Sequence, residues 1–344
     1  MMNKNISLNI RFIIVSFFAV MVSVFQSCSK KETYDVTGDT ETRIFINSEG
    51  RSSLANLKNS FTYTIQHTVE SSTSNADIQA KFAVQSTKPV SSTVTVNAEV
   101  DNSLVAAYNT ANNVSFATLP SGAVTLNKTS VTIEQGSSIS SDQILVSVDQ
   151  SKFAELTAPA YLLPIKLSSI SNNAAKISTN YQTAYIVINT KEVIVKPSVP
   201  ASGMLGALVT NYSTWGITAN GTPTTGTTLA QMFDGNVSTR WGFATHPLTI
   251  TADMMETKTI GGFRLFAYRA LTNGISFSNV VVSVSDDGVN YKELGTATNA
   301  TMTNAAGYQY IGLYKTVQAR YFRLAVTWSS TSQRGISELG VYVQ

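Results

Sequence analysis

The fold class is indicated most directly by one stretch of sequence, SFSNVVVSVSDDGVNYKELG (276–295). Valine dominates residues 280–285 and alternates with serine at their end, as in a strand with one buried face. Asp286-Asp287-Gly288 then interrupts the pattern with residues typical of a tight turn, in which Gly288 can take a positive φ. We therefore predict a hairpin here, with Asp286 and Asp287 as solvated turn residues.

Short apolar runs separated by polar turns recur on both sides of this hairpin. Seven lie between residues 43 and 191, and the later ones include KTIGGFRLFAYR (258–269), ARYFRLAVTW (319–328) and ISELGVYV (336–343). Ser and Thr make up about a quarter of the chain, which leaves few strong helix formers. We predict an all-β protein, with one helix near 101–108 that Asp101 can cap.

Composition excludes several classes of protein. With 13% charged and 43% hydrophobic residues, the chain is too uncharged for a disordered protein and too polar for a multi-pass membrane protein. The single cysteine excludes an internal disulfide or a Cys-rich zinc site. His67, in an apparent strand, is interpreted as structural. Because the chain has no GxSxG or HExxH motif and no paired loop carboxylates, we predict that it is not an enzyme.

The first 28 residues have the layout of a bacterial secretion signal. Lys4 and Arg11 precede the apolar run FIIVSFFAVMVSVF (12–25), and Cys28 follows. A run of about 14 residues is too short to span a bilayer comfortably as a permanent helix. The cysteine at its end resembles a lipoprotein lipobox, which implies a lipid on Cys28 as the first mature residue. A plain secretory signal with an incidental cysteine is the alternative.

Loss of this signal leaves 22 basic residues against 21 acidic ones. A nearly neutral chain lacks the basic face that nucleic-acid binding needs, so we expect no nucleic-acid partner. The predicted order is a signal peptide at 1–27, a tether at 28–42, a sandwich at 43–191, a Pro-containing linker at 192–203 and a second β-block at 204–344.

The first block resembles the N-terminal domain of unknown function found in many glycan-utilisation lipoproteins of Gram-negative bacteria. The matching stretches are DNSLVAAYN (101–109), Leu119-Pro120, VTIEQG (131–136) and YLLPI (161–165). The resemblance implies an immunoglobulin-like sandwich between the lipid anchor and a glycan-binding or glycosidase module. It therefore implies an outer-membrane lipoprotein, on the cell surface or facing the periplasm, with transporter or glycosidase partners.

The second block resembles the discoidin family of F5/8 type C domains, whose bacterial members are often carbohydrate-binding modules. The matching stretches, in the family's order, are FDGNVSTRW (233–241), GFRL (262–265), VSDDG (284–288), ARYFRL (319–324) and ISELGVY (336–342). The resemblance implies a jelly-roll-like β-sandwich with ligand-binding loops at one end. Trp241 is expected in the core.

The same resemblance implies a structural calcium ion. Carried over by position, its ligands would be Asp234, Asn236, Thr239 and Glu338, with carbonyls supplying part of the oxygen shell. A hydrogen-bonded turn without metal is the alternative. The family's usual aromatic-Asp-Leu-Gly segment is replaced here by LTITADMM (248–255), in which Asp253 is expected at the aspartate position.

Sugar recognition needs flat apolar faces and a few fixed polar groups. The loops between the family's motifs offer seven candidates for glycan contact: Tyr212, Trp215, His246, Arg269, Asn273, Trp328 and Arg334. His246 is the strongest polar candidate, because it precedes Pro247 in a loop. We expect a non-catalytic glycan-binding lipoprotein; an adhesion or protein-binding lipoprotein is the alternative.

Overall fold

The computed structural model describes residues 41–47, 60–329 and 334–344. The predicted signal peptide, Cys28 and most of the predicted tether lie outside these residues. Within the described ranges, no helix is long and apolar enough to cross a membrane. The described chain is dominated by strands, which confirms the predicted all-β class.

The strands up to residue 192 form two sheets. Their order is β10-β1-β4-β8-β6 in one sheet and β3-β2-β11-β9-β5-β7 in the other. These strands are β1 (Arg43–Asn47), β2 (Ser60–His67), β3 (Ser72–Ser74), β4 (Gln79–Ser86), β5 (Val94–Val100), β6 (Val124–Lys128), β7 (Ser130–Ile133), β8 (Ile139–Val148), β9 (Ala160–Ile170), β10 (Lys176–Ile177) and β11 (Thr183–Glu192).

One apolar core joins the two sheets. Phe82 and Ile144 from the first sheet share a buried cluster with Leu163 and Ile186 from the second. Inward apolar residues alternate with exposed ones, as in β4, because successive side chains of a strand point to opposite faces. This arrangement is the predicted immunoglobulin-like sandwich.

The predicted helix is present as α1 (Ser103–Asn112). The prediction that Asp101 caps it is wrong, because the N-cap residue is Asn102 and no side chain caps the helix; Asp101 lies one residue earlier, where its carboxylate accepts a hydrogen bond from the Ser103 amide at 3.2 Å. His67 is hydrogen-bonded through both ring nitrogens, as a structural histidine would be. Its two ring nitrogens lie 2.8 Å from the Ser72 hydroxyl and 2.9 Å from the Leu156 carbonyl oxygen, so the imidazole ties strands to a loop.

The strands after residue 192 form a second β-structure with its own core. Its main path is β13-β21-β16-β20-β17-β18, and four short strands pair onto it. The elements are β12 (Val195–Lys196), β13 (Ala207–Leu208), β14 (Gly216–Ala219), β15 (Trp241–Gly242), β16 (Leu248–Ala267), α2 (Ala270–Asn273), β17 (Phe277–Ser285), β18 (Lys292–Thr298), β19 (Thr303–Ala305), β20 (Tyr308–Trp328) and β21 (Gly335–Val343); 3₁₀ turns occupy Gln150–Glu155, Ala201–Gly203 and Leu229–Met232.

The hairpin predicted first is formed by β17 and β18. Gly288 has φ +74, as the turn requires. Asp286 and Asp287 are exposed. The amides of Asn290 and Val289 donate to the Asp287 carboxylate and hold its pKa well below the usual range. Both aspartates are therefore turn residues, at the far end of β17 from Phe277.

The chain that follows β11 is built into the second β-structure. The Ile194 amide donates to the Leu294 carbonyl at 2.7 Å, and Val195 pairs with Leu313 of β20. The Glu192 carboxylate lies 2.8 Å from the ammonium nitrogens of both Lys292 and Lys315. Hydrogen bonds from these two lysines lower the pKa of Glu192 to about 2. The residues predicted as a stiff linker thus include a sheet strand.

The next part of the chain, residues 199–208, crosses the outer surface of β16, β20 and β21. It lies over a row of four glycines, Gly261, Gly262, Gly312 and Gly340, which we call the glycine floor. A methyl group added at Gly261 would lie 1.8 Å from the Leu205 carbonyl oxygen, and one at Gly312 would lie 2.4 Å from a methyl of Val199. Each of these contacts needs the absence of a side chain.

We predict that Gly261→Ala destabilises the protein by about 2 kcal/mol, the usual cost of overpacking a close contact. The added Cβ would meet the Leu205 backbone, which cannot move aside without lifting residues 199–208. Gly216→Ala is the matched control, since its nearest neighbour, the Met255 methyl, would be at an ordinary 3.4 Å. Urea unfolding measures both variants. Equal unfolding free energies would show that the Leu205 backbone does not lie in close contact with Gly261.

Candidate functional site

The loops at one end of the second β-structure are held together by one carbonyl group. The Gly335 oxygen accepts hydrogen bonds from the Tyr268 amide at 3.0 Å and from the Trp328 indole N–H at 3.3 Å. It therefore joins the start of β21 to the end of β20 and to the loop that follows β16. We call the surface formed by residues 240–247, 268–274, 328–329 and 334–335 the loop end.

Three predicted ligand residues meet at the loop end. Trp328 is 4% exposed and packs against Phe277, so its ring belongs to the core. The exposed His246 lies above it, with ring centroids 6.3 Å apart. Arg334 donates from Nη1 to the Ala244 carbonyl at 2.5 Å. Trp328 thus supports the loop that presents His246, and its predicted contact with glycan stays a prediction.

Two further predicted residues, Arg269 and Asn273, are exposed on the neighbouring loop, where Arg269 precedes the short helix α2 and Asn273 ends it. Arg269 has φ 61, and the Asn273 amide donates to its carbonyl at 2.9 Å. Beside them is a depression of about 230 Å³, lined by Val237, Ser238, Phe266, Tyr268, Arg269, Leu271 and Thr272. Its size suits one sugar ring better than a drug-sized ligand, which needs about 300–1,000 Å³.

The remaining two, Tyr212 and Trp215, lie elsewhere and line a different pocket of about 540 Å³. Tyr212 stacks on Phe233 at 4.3 Å between centroids, and its hydroxyl accepts from the Val341 amide at 3.1 Å. Burial raises the pKa of the Tyr212 hydroxyl. Trp215 packs edge-on against Tyr212 and Phe322. The structure therefore does not bring these two rings to the loop end.

Two residues of the loop end were not among the sequence candidates, Arg240 and Tyr268. The Arg240 guanidinium lies 4.2 Å from the Tyr268 ring centroid. Its side chain passes Gly242 and Gly335 so closely that a Cβ on either glycine would lie 2.8 or 2.6 Å from it. Trp241, by contrast, is 7% exposed, which confirms its predicted core position. The neighbouring Arg240 gave no separate signal in the FDGNVSTRW motif.

The predicted calcium ligands lie on the turn that precedes Arg240. The Thr239 hydroxyl donates to the Asp234 carboxylate at 2.8 Å and lies equally close to the Asn236 carbonyl oxygen. The Asn236 amide donates to the other Asp234 oxygen at 2.8 Å. The Ser337 hydroxyl donates to the Thr239 carbonyl at 2.6 Å, which ties this turn to β21.

Glu338, the fourth predicted ligand, has an unusual environment. It is 6% exposed, and its Oε1 is buried without a hydrogen-bond partner. Burial, followed by the nearby Asp234 carboxylate, raises the pKa of Glu338 to about 7. Among the described residues, no group of three or more His, Cys, Asp and Glu is placed to hold a metal. Asp234 and Glu338 nevertheless place two carboxylates close together, and one oxygen of Glu338 has no hydrogen-bond partner. Such a pair suits a hard cation whose remaining ligands are carbonyl oxygens.

Asp253, at the position where LTITADMM departs from the family, faces away from the loop end. Its carboxylate accepts two hydrogen bonds of 2.8 Å from Arg320, one from Nε and one from Nη2. These hydrogen bonds lower the pKa of Asp253 to about 2. The aspartate is thus used in a bidentate ion pair at the middle of the β16–β20 pairing.

Gln309 positions the loop end from inside. It is 2% exposed, and its amide spans the Phe277 backbone, accepting from the N–H at 2.6 Å and donating to the carbonyl at 3.1 Å. It also donates to the Asn299 side-chain oxygen at 3.0 Å. Because Gln309 starts β20 and Phe277 pairs with Trp328 near its end, this side chain joins the two ends of one strand.

Comparison with known proteins identifies the two blocks. Residues 216–339 match the model of the F5/8 type C domain, and residues 34–174 match the model of a family described as an N-terminal domain. These matches confirm the predicted resemblance of the two blocks, and the predicted discoidin-like sandwich is confirmed with them. A search of curated proteins finds no match.

Solved structures also resemble the chain. A two-domain protein of unknown function from Bacteroides fragilis is 16% identical, with a TM-score of 0.59, over 88% of this chain and 94% of its own. The C-terminal domain of a chitobiase from the same species is 22% identical over 40% and 98%, with a TM-score of 0.33. A CBM32 domain from Clostridium perfringens, in complex with GalNAc-β-1,3-galactose, is 19% identical over 37% and 94%, with a TM-score of 0.31. The crystal structure of the two-domain protein therefore shows the same overall fold over most of this chain.

We predict that Gln309→Met lowers the free energy of unfolding by about 2–3 kcal/mol, because the Phe277 N–H and carbonyl lose their partner inside the core. Gln318→Met is the matched control, an exposed glutamine of the same strand. Thermal unfolding and amide exchange of residues 275–279 measure the effect. Equal melting temperatures for the two variants would show that the amide does not hold the loop end.

Proposed function

We propose that this protein binds glycan without transforming it, through the loop end of its F5/8 type C domain. The carrying observation is that a depression of one-sugar size, lined in part by the exposed Arg269, lies on the loop end, which also carries the exposed polar side chains of His246 and Asn273. Polar groups in fixed positions are what hydroxyl recognition needs. The domain family supports a carbohydrate ligand, since its bacterial members are often carbohydrate-binding modules.

The apolar part of a sugar also needs a surface. Leu271 is 66% exposed beside the depression, and the Tyr268 and Phe266 rings form part of its wall. A pyranose could lay its C–H face against this wall and direct its hydroxyls to the surrounding polar groups. Trp328 and Arg334 would act from beneath, by holding the His246 loop. Tyr212 and Trp215 would contact only a chain long enough to reach their pocket.

The cellular setting is proposed from the sequence alone. A lipid on Cys28 would anchor the chain in the outer membrane, with residues 29–42 as a tether and the N-terminal sandwich as a spacer. On the cell surface, the loop end would capture glycan for a transporter or glycosidase partner. Residues 191–196 support a stiff spacer, because their ion pairs and strand pairing attach the sandwich directly to the binding domain.

The binding proposal predicts that His246→Ala weakens glycan binding about tenfold, a loss of about 1.4 kcal/mol. The test is affinity electrophoresis of the chain from residue 28 against plant, mucin and yeast polysaccharides. Thr296→Ala, an exposed residue of β18, is the control and should bind as the native chain does. Binding to none of the polysaccharides, with a sugar-independent protein ligand instead, would replace this proposal with the adhesion alternative.

We also propose that the Asp234–Thr239 turn and Glu338 hold a structural calcium ion. Asp234 and Glu338 would supply charge, and the Asn236 and Thr239 carbonyls and the Thr239 hydroxyl would supply further oxygens. What supports this is the buried Glu338 Oε1, which has no partner in the protein. The ion would tie the start of the domain to its last strand, and we assign it no catalytic part.

The calcium proposal predicts a pH-dependent stability. In EDTA, the raised pKa of Glu338 favours the folded state while the acid is protonated, below about pH 4.5, and this contribution is lost as the pH rises through about 7. The loss is on the order of 3 kcal/mol, at about 1.4 kcal/mol for each pH unit that the pKa has moved. Calcium should therefore raise the melting temperature more at pH 8 than at pH 5.

Glu338→Gln separates the metal from the carboxyl group. The variant should be more stable than the native protein in EDTA at pH 8, because its amide is neutral, and it should lose most of the gain from calcium. Isothermal titration with CaCl₂ measures the site directly. A native melting temperature that does not respond to millimolar calcium at pH 8 would favour the metal-free turn.

A further inference from the structure

The loop end contains an arginine without an acidic partner. The Arg240 guanidinium is partly buried and has five N–H donors, yet within the described chain it makes no hydrogen bond or ion pair and only stacks on the Tyr268 ring. Gly242 and Gly335 leave room for its stem, and a side chain on either would close that room. A charged group held in a fixed place, partly out of water and unpaired, is costly unless it meets a ligand.

Arg334, on the adjacent loop, also has no acidic partner within the described chain. It donates one hydrogen bond, to the Ala244 carbonyl, and its Nε is buried without a partner. No carboxylate of the described residues lies within ion-pair distance of Arg240 or Arg334. The Arg269 guanidinium lies 5.2 Å from the centroid of the same Tyr268 ring and brings a third arginine to this surface. Arg269 lines the depression, Arg240 stacks on the Tyr268 ring of its wall, and Arg334 is bonded to the His246 loop.

The acidic residues of this domain are used elsewhere. Asp253 pairs with Arg320, Glu256 with Lys258 and Glu293 with Lys191. Asp286 and Asp287 lie at the far end of β17. The carboxylates nearest the loop end are Asp234 and Glu338, which face each other. The domain is therefore electrostatically polarised, although the whole chain is almost neutral.

We infer that the glycan bound at the loop end is anionic, with a carboxylate or sulfate on the sugar that Arg240 and Arg334 recognise. This inference rests on the proposed function and names the class of its ligand. Planar guanidinium groups bind such oxyanions through paired N–H donors, and they do so most strongly where water is partly excluded. A neutral glycan would leave both guanidinium groups unpaired in the complex.

The experiment compares polymers that differ in charge and share a backbone. Titration calorimetry of the chain from residue 28 uses polygalacturonate against its methyl ester, and dextran sulfate against dextran. We expect at least one anionic polymer to bind about tenfold more tightly than its neutral counterpart, and this preference to shrink as salt screens the charges. A preference for polygalacturonate identifies a carboxylate, and one for dextran sulfate identifies a sulfate.

The variants Arg240→Gln and Arg334→Gln should each remove most of that preference. Arg323→Gln is the matched control, because Arg323 also stacks on a tyrosine, Tyr291, at 3.6 Å and makes no ion pair within the described chain. Equal melting temperatures show that the variants fold, and Arg240→Lys should retain part of the preference.

The outcomes distinguish this inference from the proposed function. Equal affinity for charged and neutral forms, or binding of a neutral glycan alone, overturns the anionic ligand and leaves glycan binding standing. An equal loss in Arg323→Gln shows attraction by net charge and also overturns it. Binding of neither these polymers nor the plant, mucin and yeast polysaccharides overturns both proposals.

Discussion

The binding domain depends on the antiparallel pairing of β16 with β20. This pairing runs from Leu248 opposite Val326 to Phe266 opposite Tyr308, with bulges on the way. A ribbon of this length bends back on itself, and Gln309 joins its two ends across the Phe277 backbone. The loops that emerge from both ends therefore meet on one surface, and all the polar groups assigned to binding depend on that closure.

The same ribbon explains why residues 193–208 are ordered against the domain. Its outer surface carries the glycine floor, and a sheet with side chains there could not accept a backbone at such short range. Upstream, Glu192 is paired with two lysines of the domain, and β12 extends its sheet. The stretch that joins the two blocks thus belongs to the core of the second, as the burial of Ile194 and Val195 shows.

Local signals were enough to predict much of this structure. The Asp-Asp-Gly turn, the helix after Asp101 and the buried Trp241 each follow from residue type and near neighbours. The glycine floor could not be predicted, because glycines within a strand pattern do not reveal what approaches them. Gln309 and Arg240 were missed for a related reason: Phe277, which the Gln309 amide spans, is 32 positions away in the chain, and the Tyr268 ring beside Arg240 is also distant in sequence. For Trp328 and Tyr212, the sequence could not distinguish an aromatic ring that packs beneath a loop from one that contacts the ligand.

The charge of the whole chain is a poor guide to its ligand. Near neutrality led us to expect no nucleic-acid partner, and it gives no indication of a charged ligand of any other kind. In the described part of the binding domain, Asp253, Glu256 and Glu293 pair with bases away from the loop end, and no carboxylate lies within ion-pair distance of Arg240 or Arg334. Because screening by water and salt confines electrostatic recognition to about 10 Å, the local distribution decides which ligand is attracted. An almost neutral protein can therefore present a cationic surface where it binds.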